Sequence, residues 1–306
     1  MAKLKEHKLP KHHYIPVFYL QQWTNGNGRF IEYRRENGRV VARPTSPKGT
    51  GYVRGLYRLP NVPDDKAEII ETVYMRQVDN GAAPALKLML DPTSRLESLS
   101  DQNKVYWARF LHCMVLRSPE YVAAVGKLLQ QDAIGTIEQY RAEYPKLRQP
   151  NEPETFDEFK IKFLANPLNV SAARIIPQLA DSNAIAQHIC RMNWKIIEFH
   201  KSPHRLLTSD RPIIMTNGIG IRCAHVGIPI SPTQLFIAFY DDEGYRKLKA
   251  LSAKEIIRNA NTKVVEQAIS CVYGFSDADM SFVSRGFGKR IATTPLETGV
   301  LKQVMP

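Results

Sequence analysis

Apolar residues recur along this chain with two different periods, and the switches between them mark its parts. Apolar and polar positions alternate through Arg29 to Arg34 and Arg39 to Arg43. Glu36-Asn37-Gly38 between them is a strong turn signal, so a basic β-ribbon is expected. Gly51 to Leu59 adds a further strand before Pro60-Asn61-Val62-Pro63 breaks the pattern. Asp64 or Asp65 then caps a long helix through about residue 90, with Ile69, Ile70, Val73, Val78, Leu86 and Leu90 towards the core and Gly81 as a bend. Ser100 or Asp101 begins the next helix, to about Leu116. Ser118-Pro119-Glu120 sets a cap before a first-turn proline and starts a helix towards Tyr144, and two more cover about 154–166 and 170–192.

Alternation returns at Trp194 to Phe199, Arg205 to Ser209, Pro212 to Thr216 and Gln234 to Tyr240, and a last helix covers about Ala253 to Cys271. This order predicts an α+β fold, and 306 residues leave room for one large domain or two. A β-rich N-terminal segment (1–63) and a β-rich C-terminal region (193–306) are expected to share a sheet layer, with a helical region (64–192) between them.

The N-terminal motif is the densest in chemistry. Lys11-His12-His13-Tyr14-Ile15-Pro16 sets two imidazoles before a proline that opens a helix of about two turns. Phe18, Tyr19, Leu20 and Trp23 form its apolar side, and Thr24-Asn25-Gly26-Asn27-Gly28 stops it. Exposed N–H groups at that helix start, with Lys8 and Lys11 upstream, suit a phosphate. The alternative is that His12 and His13 are structural, satisfied within the core.

With 306 residues and 43% hydrophobic content the chain can bury a sizeable core. It has no run of 18 apolar residues and no signal-like start, which predicts a cytoplasmic protein without membrane contact. Cys113, Cys190, Cys223 and Cys271 are scattered without metal-site spacing and read as reduced thiols. The formal charge is +12, and residues 1–60 hold 12 Lys and Arg against three acids. That concentration points to nucleic acid or another phosphorylated ligand, with Lys8, Lys11, Arg34, Arg35 and Arg39 as contacts and Arg285-Gly286-Phe287-Gly288-Lys289-Arg290 as a second basic loop. A solvated basic surface accounts for the same pattern, since no base-reading element accompanies it.

A second constellation is Leu207-Thr208-Ser209-Asp210-Arg211-Pro212, a strand end and turn that exposes or ties down Asp210. Glu198 and His200 share a face of the preceding strand and are placed near it. Glu68 and Glu71 lie three apart on the helix at 64–90, followed by Met75 and Asp79. Asn259 and Asn261 are polar candidates on the last helix. HExxH, Walker, GxSxG and dinucleotide signatures are absent.

Several of these stretches together resemble one family: His12-His13-Tyr14-Ile15-Pro16 with Phe18-Tyr19-Leu20, Glu71, Arg117-Ser118-Pro119, Thr208-Ser209-Asp210-Arg211-Pro212, Pro229-Ile230-Ser231-Pro232 and Asn261. It is the domain-of-unknown-function 4238 family, mostly bacterial and without an assigned activity. Arg211 stands where the family commonly has Asn, and Ile230 where it has Leu. The resemblance implies one full-length unit and a clustering of these residues.

Two functions follow as expectations. The first is a nucleic-acid-directed, metal-assisted phosphodiester hydrolase using His12, His13, Asp210 and Glu71, with Mg²⁺ or Mn²⁺ as the metal. The second is a non-catalytic nucleic-acid-binding or regulatory module in which the same groups are buried hydrogen-bonding anchors.

Overall fold

Asn37 and Gly38 take φ of 47° and 78°, closing the two-residue turn whose twist suits a hairpin. The flanking strands pair antiparallel from Phe30↔Thr45 to Glu36↔Arg39. The structure is a computed structural model that describes residues 9–59, 62–93, 96–165, 172–181, 183–215 and 218–290.

The N-terminal part contains β1 (Lys11–His13), α1 (Val17–Leu20), β2 (Phe30–Glu36), β3 (Arg39–Thr45) and β4 (Tyr52–Arg54). Helices follow: α2 (Asp64–Ala67), α3 (Arg76–Leu90), α4 (Asp101–Leu116), α5 (Pro119–Glu138), α6 (Tyr144–Leu147), α7 (Phe156–Ala165), α8 (Ile176–Ala180) and α9 (Asn183–Arg191). The rest comprises β5 (Asn193–Glu198), β6 (Thr208–Ser209), β7 (Ile214–Met215), β8 (His225–Ser231), β9 (Gln234–Phe239), α10 (Asp242–Lys249), α11 (Ala253–Glu266), β10 (Cys271–Gly274) and α12 (Met280–Gly286).

The fold is α+β, and the two β-rich ends do share a layer. One sheet has the order β3-β2-β10-β6, so a C-terminal strand lies between two strands from distant parts of the chain; a second sheet runs β5-β9-β8-β7, and β1 pairs with β4. The chain passes from the first sheet to the second between β6 and β7, through Asp210 to Ile213. Strand β9 is buried at every position. Its Phe236 and Ala238 join a core with α3, α4 and α9, while Leu235, Ile237 and Phe239 join another with α11 and α12. Trp107 stacks on Phe110 at 5.0 Å and meets Phe236 edge-on at 5.7 Å, geometries that suit aromatic quadrupoles.

Local expectations fail where long-range pairing or packing decides. Pro16 has extended geometry (φ −63°, ψ 144°) and precedes the helix rather than starting it; α1 itself is four residues long, prolonged by a 3₁₀ turn to Trp23. An anion site at that start therefore has little helix behind it. The expected helix over 64–90 is divided by a π-helical segment at Ile70–Met75. Gly81 marks no bend: a Cβ there would lie 2.5 Å from the Tyr106 ring, so glycine is where α4 crosses closely. Cys271 opens a strand because β2 pairs with it, and α11 ends at Glu266. Strand β8 contains Gly227 and Pro229, poor strand formers; Gly227 pairs in register with Ile237, and a register shift between Pro229 and Ser231 follows the proline. Helices α10 and α12 were likewise not anticipated.

Gly81→Ala should lower stability by about 1–2 kcal/mol despite a helix-propensity gain of about 1 kcal/mol, because the methyl overpacks against Tyr106. Urea unfolding measures it, and a stabilised variant would show that Tyr106 yields freely.

Candidate functional site

His12 is fully buried on β1. The Tyr57 N–H donates to its Nδ1 at 2.9 Å, and its Nε2 lies 2.5 Å from Glu68 Oε2. Since Nδ1 accepts, the proton sits on Nε2 and is donated to the carboxylate. Burial holds the His12 pKa below its ordinary value although Glu68 pulls it upwards. Glu68 also pairs with Arg58, which in turn pairs with Asp64. His12 is thus saturated and serves as an anchor between β1, the loop at Tyr57 and the helical region.

His13 is only partly buried, and its surroundings differ. Its backbone N–H reaches Glu71 Oε1 at 3.4 Å, and its ring packs against Tyr52 at 5.5 Å. Burial, then Lys11, lowers its pKa, so the ring is neutral at neutral pH. Glu71 lies in the π-helical segment, a backbone distortion common at functional positions. Burial pushes its carboxyl up to about 7, against the downward pull of the His13 N–H and Arg117.

Arg117 is wholly buried at the end of α4. Its guanidinium pairs with Asp79 at 2.9 Å and lies over Phe110, and its carbonyl accepts the Tyr57 hydroxyl at 2.5 Å. Burial raises the Asp79 pKa more than Arg117 lowers it. Three buried polar atoms in this neighbourhood have no hydrogen-bond partner: His13 Nε2, Glu71 Oε2 and Arg117 Nε. Such atoms are costly unless something small and polar meets them. A neutral imidazole, a carboxyl that titrates near neutrality and a fixed cation can exchange a proton and hold an anionic or hydrogen-bonding group.

Asp210 does not join this group. It is buried where the chain leaves β6, and its carboxylate accepts from three backbone N–H groups: Ile269 at 3.1 Å, Ser270 at 2.5 Å and Cys271 at 3.2 Å. Burial pushes the carboxyl up to about 6 against the opposing pull of those donors. Asp210 therefore clamps the approach to β10. Tyr14, the residue after His13, is within electrostatic reach of Asp210, Glu120 and Arg34. Glu198 and His200 face one another 3.8 Å apart at the surface, both half exposed. Asn261 is an anchor too, accepting from Leu207 N–H at 2.8 Å and donating to the Arg205 carbonyl at 2.9 Å. Asn259 is exposed.

The expected metal set does not fit a divalent ion. Both nitrogens of His12 and both oxygens of Asp210 are already bonded within the protein. Among the described residues no group of three or more His, Cys, Asp or Glu side chains is placed to hold a metal ion.

Of the basic candidates, Lys8 lies outside the described residues. Lys11 sits 4.2 Å over the Tyr52 ring and donates to the Lys48 carbonyl at 3.1 Å. Arg34 pairs with Glu32 at 2.6 Å and reaches Cys271 Sγ at 3.3 Å. Arg35 donates to the Phe287 carbonyl at 2.9 Å and lies over that ring. Arg39 is exposed on β3. The Arg35–Phe287 contact and the packing of α12 on β3 bring the two basic segments of the sequence together. Arg285, Lys289 and Arg290 are exposed beside them and, like Arg39, make no ion pair with a described residue. All four cysteines are free thiols.

Arg117 and Asp79 were not selected from sequence as a pair. The available signal was a lone arginine directly after the apolar run Cys113-Met114-Val115-Leu116.

These features define an α+β protein whose N-terminal strand is anchored by a buried histidine next to a cluster of His13, Glu71 and Arg117. The chain belongs to the family described as protein of unknown function DUF4238, whose profile matches residues 11–278. No curated protein and no solved structure matches it. Among the described residues, no helix is long and apolar enough to cross a membrane.

Removing the Asp210 carboxylate strands three donors, so Asp210→Ala should cost about 3–5 kcal/mol, with Asp210→Asn losing less. Thermal unfolding at pH 7 reads this, and near-native melting of the Ala variant would deny the anchoring role. Glu71 behaves differently. Its folded pKa is raised, so its contribution to stability is present below about pH 4.5 and is lost as pH rises through about 7. Glu71→Gln should match the parent near pH 4 and become more stable by on the order of 2 kcal/mol at pH 8. A pH-independent difference would contradict this.

Proposed function

We propose that the chain is a nucleic-acid-binding module whose contact surface is the joined basic face of the β2–β3 hairpin and the 285–290 segment. The observation that carries this reading is the Arg35–Phe287 contact, which brings the end of the hairpin that bears Arg39 against the segment that carries Arg285, Lys289 and Arg290. Exposed guanidinium and ammonium groups free of carboxylate partners release counterions from a phosphate backbone without first breaking an ion pair. The assignment of His12 and Asp210 to anchoring supports a binding role over the metal-assisted hydrolysis that the sequence also suggested. The reading leaves DNA and RNA equal, because phosphate contacts carry no base information.

A second reading, phosphodiester cleavage, is favoured by the unpaired His13 Nε2 and Glu71 Oε2. In it His13, neutral, takes a proton from the attacking hydroxyl and Glu71, protonated, gives one to the departing oxygen, with Arg117 offsetting charge on the phosphoryl group. These atoms are buried, so cleavage requires the site to open.

Fluorescence anisotropy with single- and double-stranded DNA and RNA over a salt series tests the first reading. The Arg39→Glu/Lys289→Glu/Arg290→Glu variant should weaken binding at least tenfold and reduce the salt slope by about one unit per lost contact. Unchanged affinity and slope would overturn it. Products from the same incubations, with and without EDTA, address cleavage, which the second reading requires to be abolished by His13→Ala and Glu71→Gln.

A further inference from the structure

A concavity lies on the opposite side of the β5-β9-β8-β7 sheet from α3 and α4. The sheet's Ile214, Leu235, Ile237 and Phe239 form an apolar floor, and α10 and α11 form the walls of a cavity of about 520 Å³. That volume is within the range of pockets that enclose small organic ligands. The space is left by small residues: Gly227 on β8 contributes no side chain, and Ala260 faces inwards from α11. Helix α11 reads Ile256, Asn259, Ala260 and Lys263 along one side, the i, i+3, i+4 spacing of a single helical face. Ile256 and Ala260 are buried at depth, whereas Asn259 and Lys263 are exposed at the rim.

The rim is cationic. Lys247 is occupied, pairing with Glu243 at 3.0 Å and donating to Cys223 Sγ at 3.2 Å. Lys263 makes no ion pair with a described residue and faces His225 across the mouth. A long apolar floor with one available ammonium group, flanked by the Asn259 amide and the Thr262 hydroxyl, complements an amphipathic monoanion. A neutral lipid leaves that cation unused, and a cationic one is repelled by it.

We propose that this cavity binds a medium-chain carboxylate, its alkyl chain along Ile214, Leu235, Ile237 and Phe239 and its carboxylate at Lys263. The site is separate from the His13–Glu71–Arg117 cluster and from the basic face, and it stands irrespective of nucleic-acid binding.

The experiment is displacement of the fluorescent probe 11-(dansylamino)undecanoate from the full-length protein by laurate, 1-dodecanol and dodecyltrimethylammonium. Laurate is expected to compete in the micromolar range, with dodecanol and the cationic amphiphile each at least about tenfold weaker. Lys263→Glu, an exposed substitution that leaves the core intact, should weaken laurate about tenfold or more. Ala260→Leu should abolish probe binding by filling the cavity, its folding checked by thermal melting. Equal competition by the three amphiphiles with no effect of Lys263→Glu, or probe binding that survives in folded Ala260→Leu, would overturn the proposal.

Discussion

The buried imidazole of His12 holds three segments together because each of its ring nitrogens has a different partner. The Tyr57 N–H fills one and the Glu68 carboxylate the other. A buried ring with one nitrogen unpaired would cost about 1–3 kcal/mol, so β1, the Tyr57 loop and the start of the helical region are fixed relative to one another. From there the N-terminal stretch is stitched onward. Tyr19 hydroxyl bonds to the Pro229 carbonyl and to Thr208, and Trp23 donates to the Leu206 carbonyl. The motif thereby bridges both large sheets.

Fixing His12 sets up the contrast with its neighbour. His13 follows directly, yet its Nε2 finds no partner; the ring is within electrostatic reach of Arg117, and its backbone N–H reaches Glu71. The protein spends burial on these groups without satisfying them all, which distinguishes them from His12, Asp210 and Asn261. Asp210 and Asn261 fasten the later strands: one holds the segment entering β10, the other holds α11 to the residues leading into β6. The polar residues of the family motif thus divide into anchors with full hydrogen bonding and a smaller group with spare capacity.

Charge is organised at a different level. Most of the excess positive charge lies in the first 60 residues, but several of those side chains are internally engaged: Arg34 with Glu32, Arg43 with Glu36, and Arg58 with Glu68. Among the described residues, the cations that make no ion pair come partly from the opposite end of the chain, through α12 and the segment after it. Net charge by segment therefore overstates the local field in one place and misses it in another.

The hairpin at Asn37-Gly38, the Ser100 and Ser118 caps, strands β5 and β9 and the α+β order were legible in the sequence. Each is set by short-range backbone preference or by a period that burial enforces. Strand β8 was hidden by Gly227 and Pro229, β10 by its adjacency to an amphipathic helix, and the π-helical turn at Glu71 by having no sequence period of its own. Likewise the residues worth naming, His12, His13, Glu71 and Asp210, could be chosen by type and context. Which of them are saturated could not, because hydrogen-bond partners arrive from positions 45 to 61 residues away. Sequence determined the elements and the candidate side chains, since both depend on local geometry and chemical type. Tertiary structure decided that His12 and Asp210 are anchors and that His13, Glu71 and Arg117 retain unpaired atoms, since satisfaction of a buried polar group is a property of what the fold brings to it.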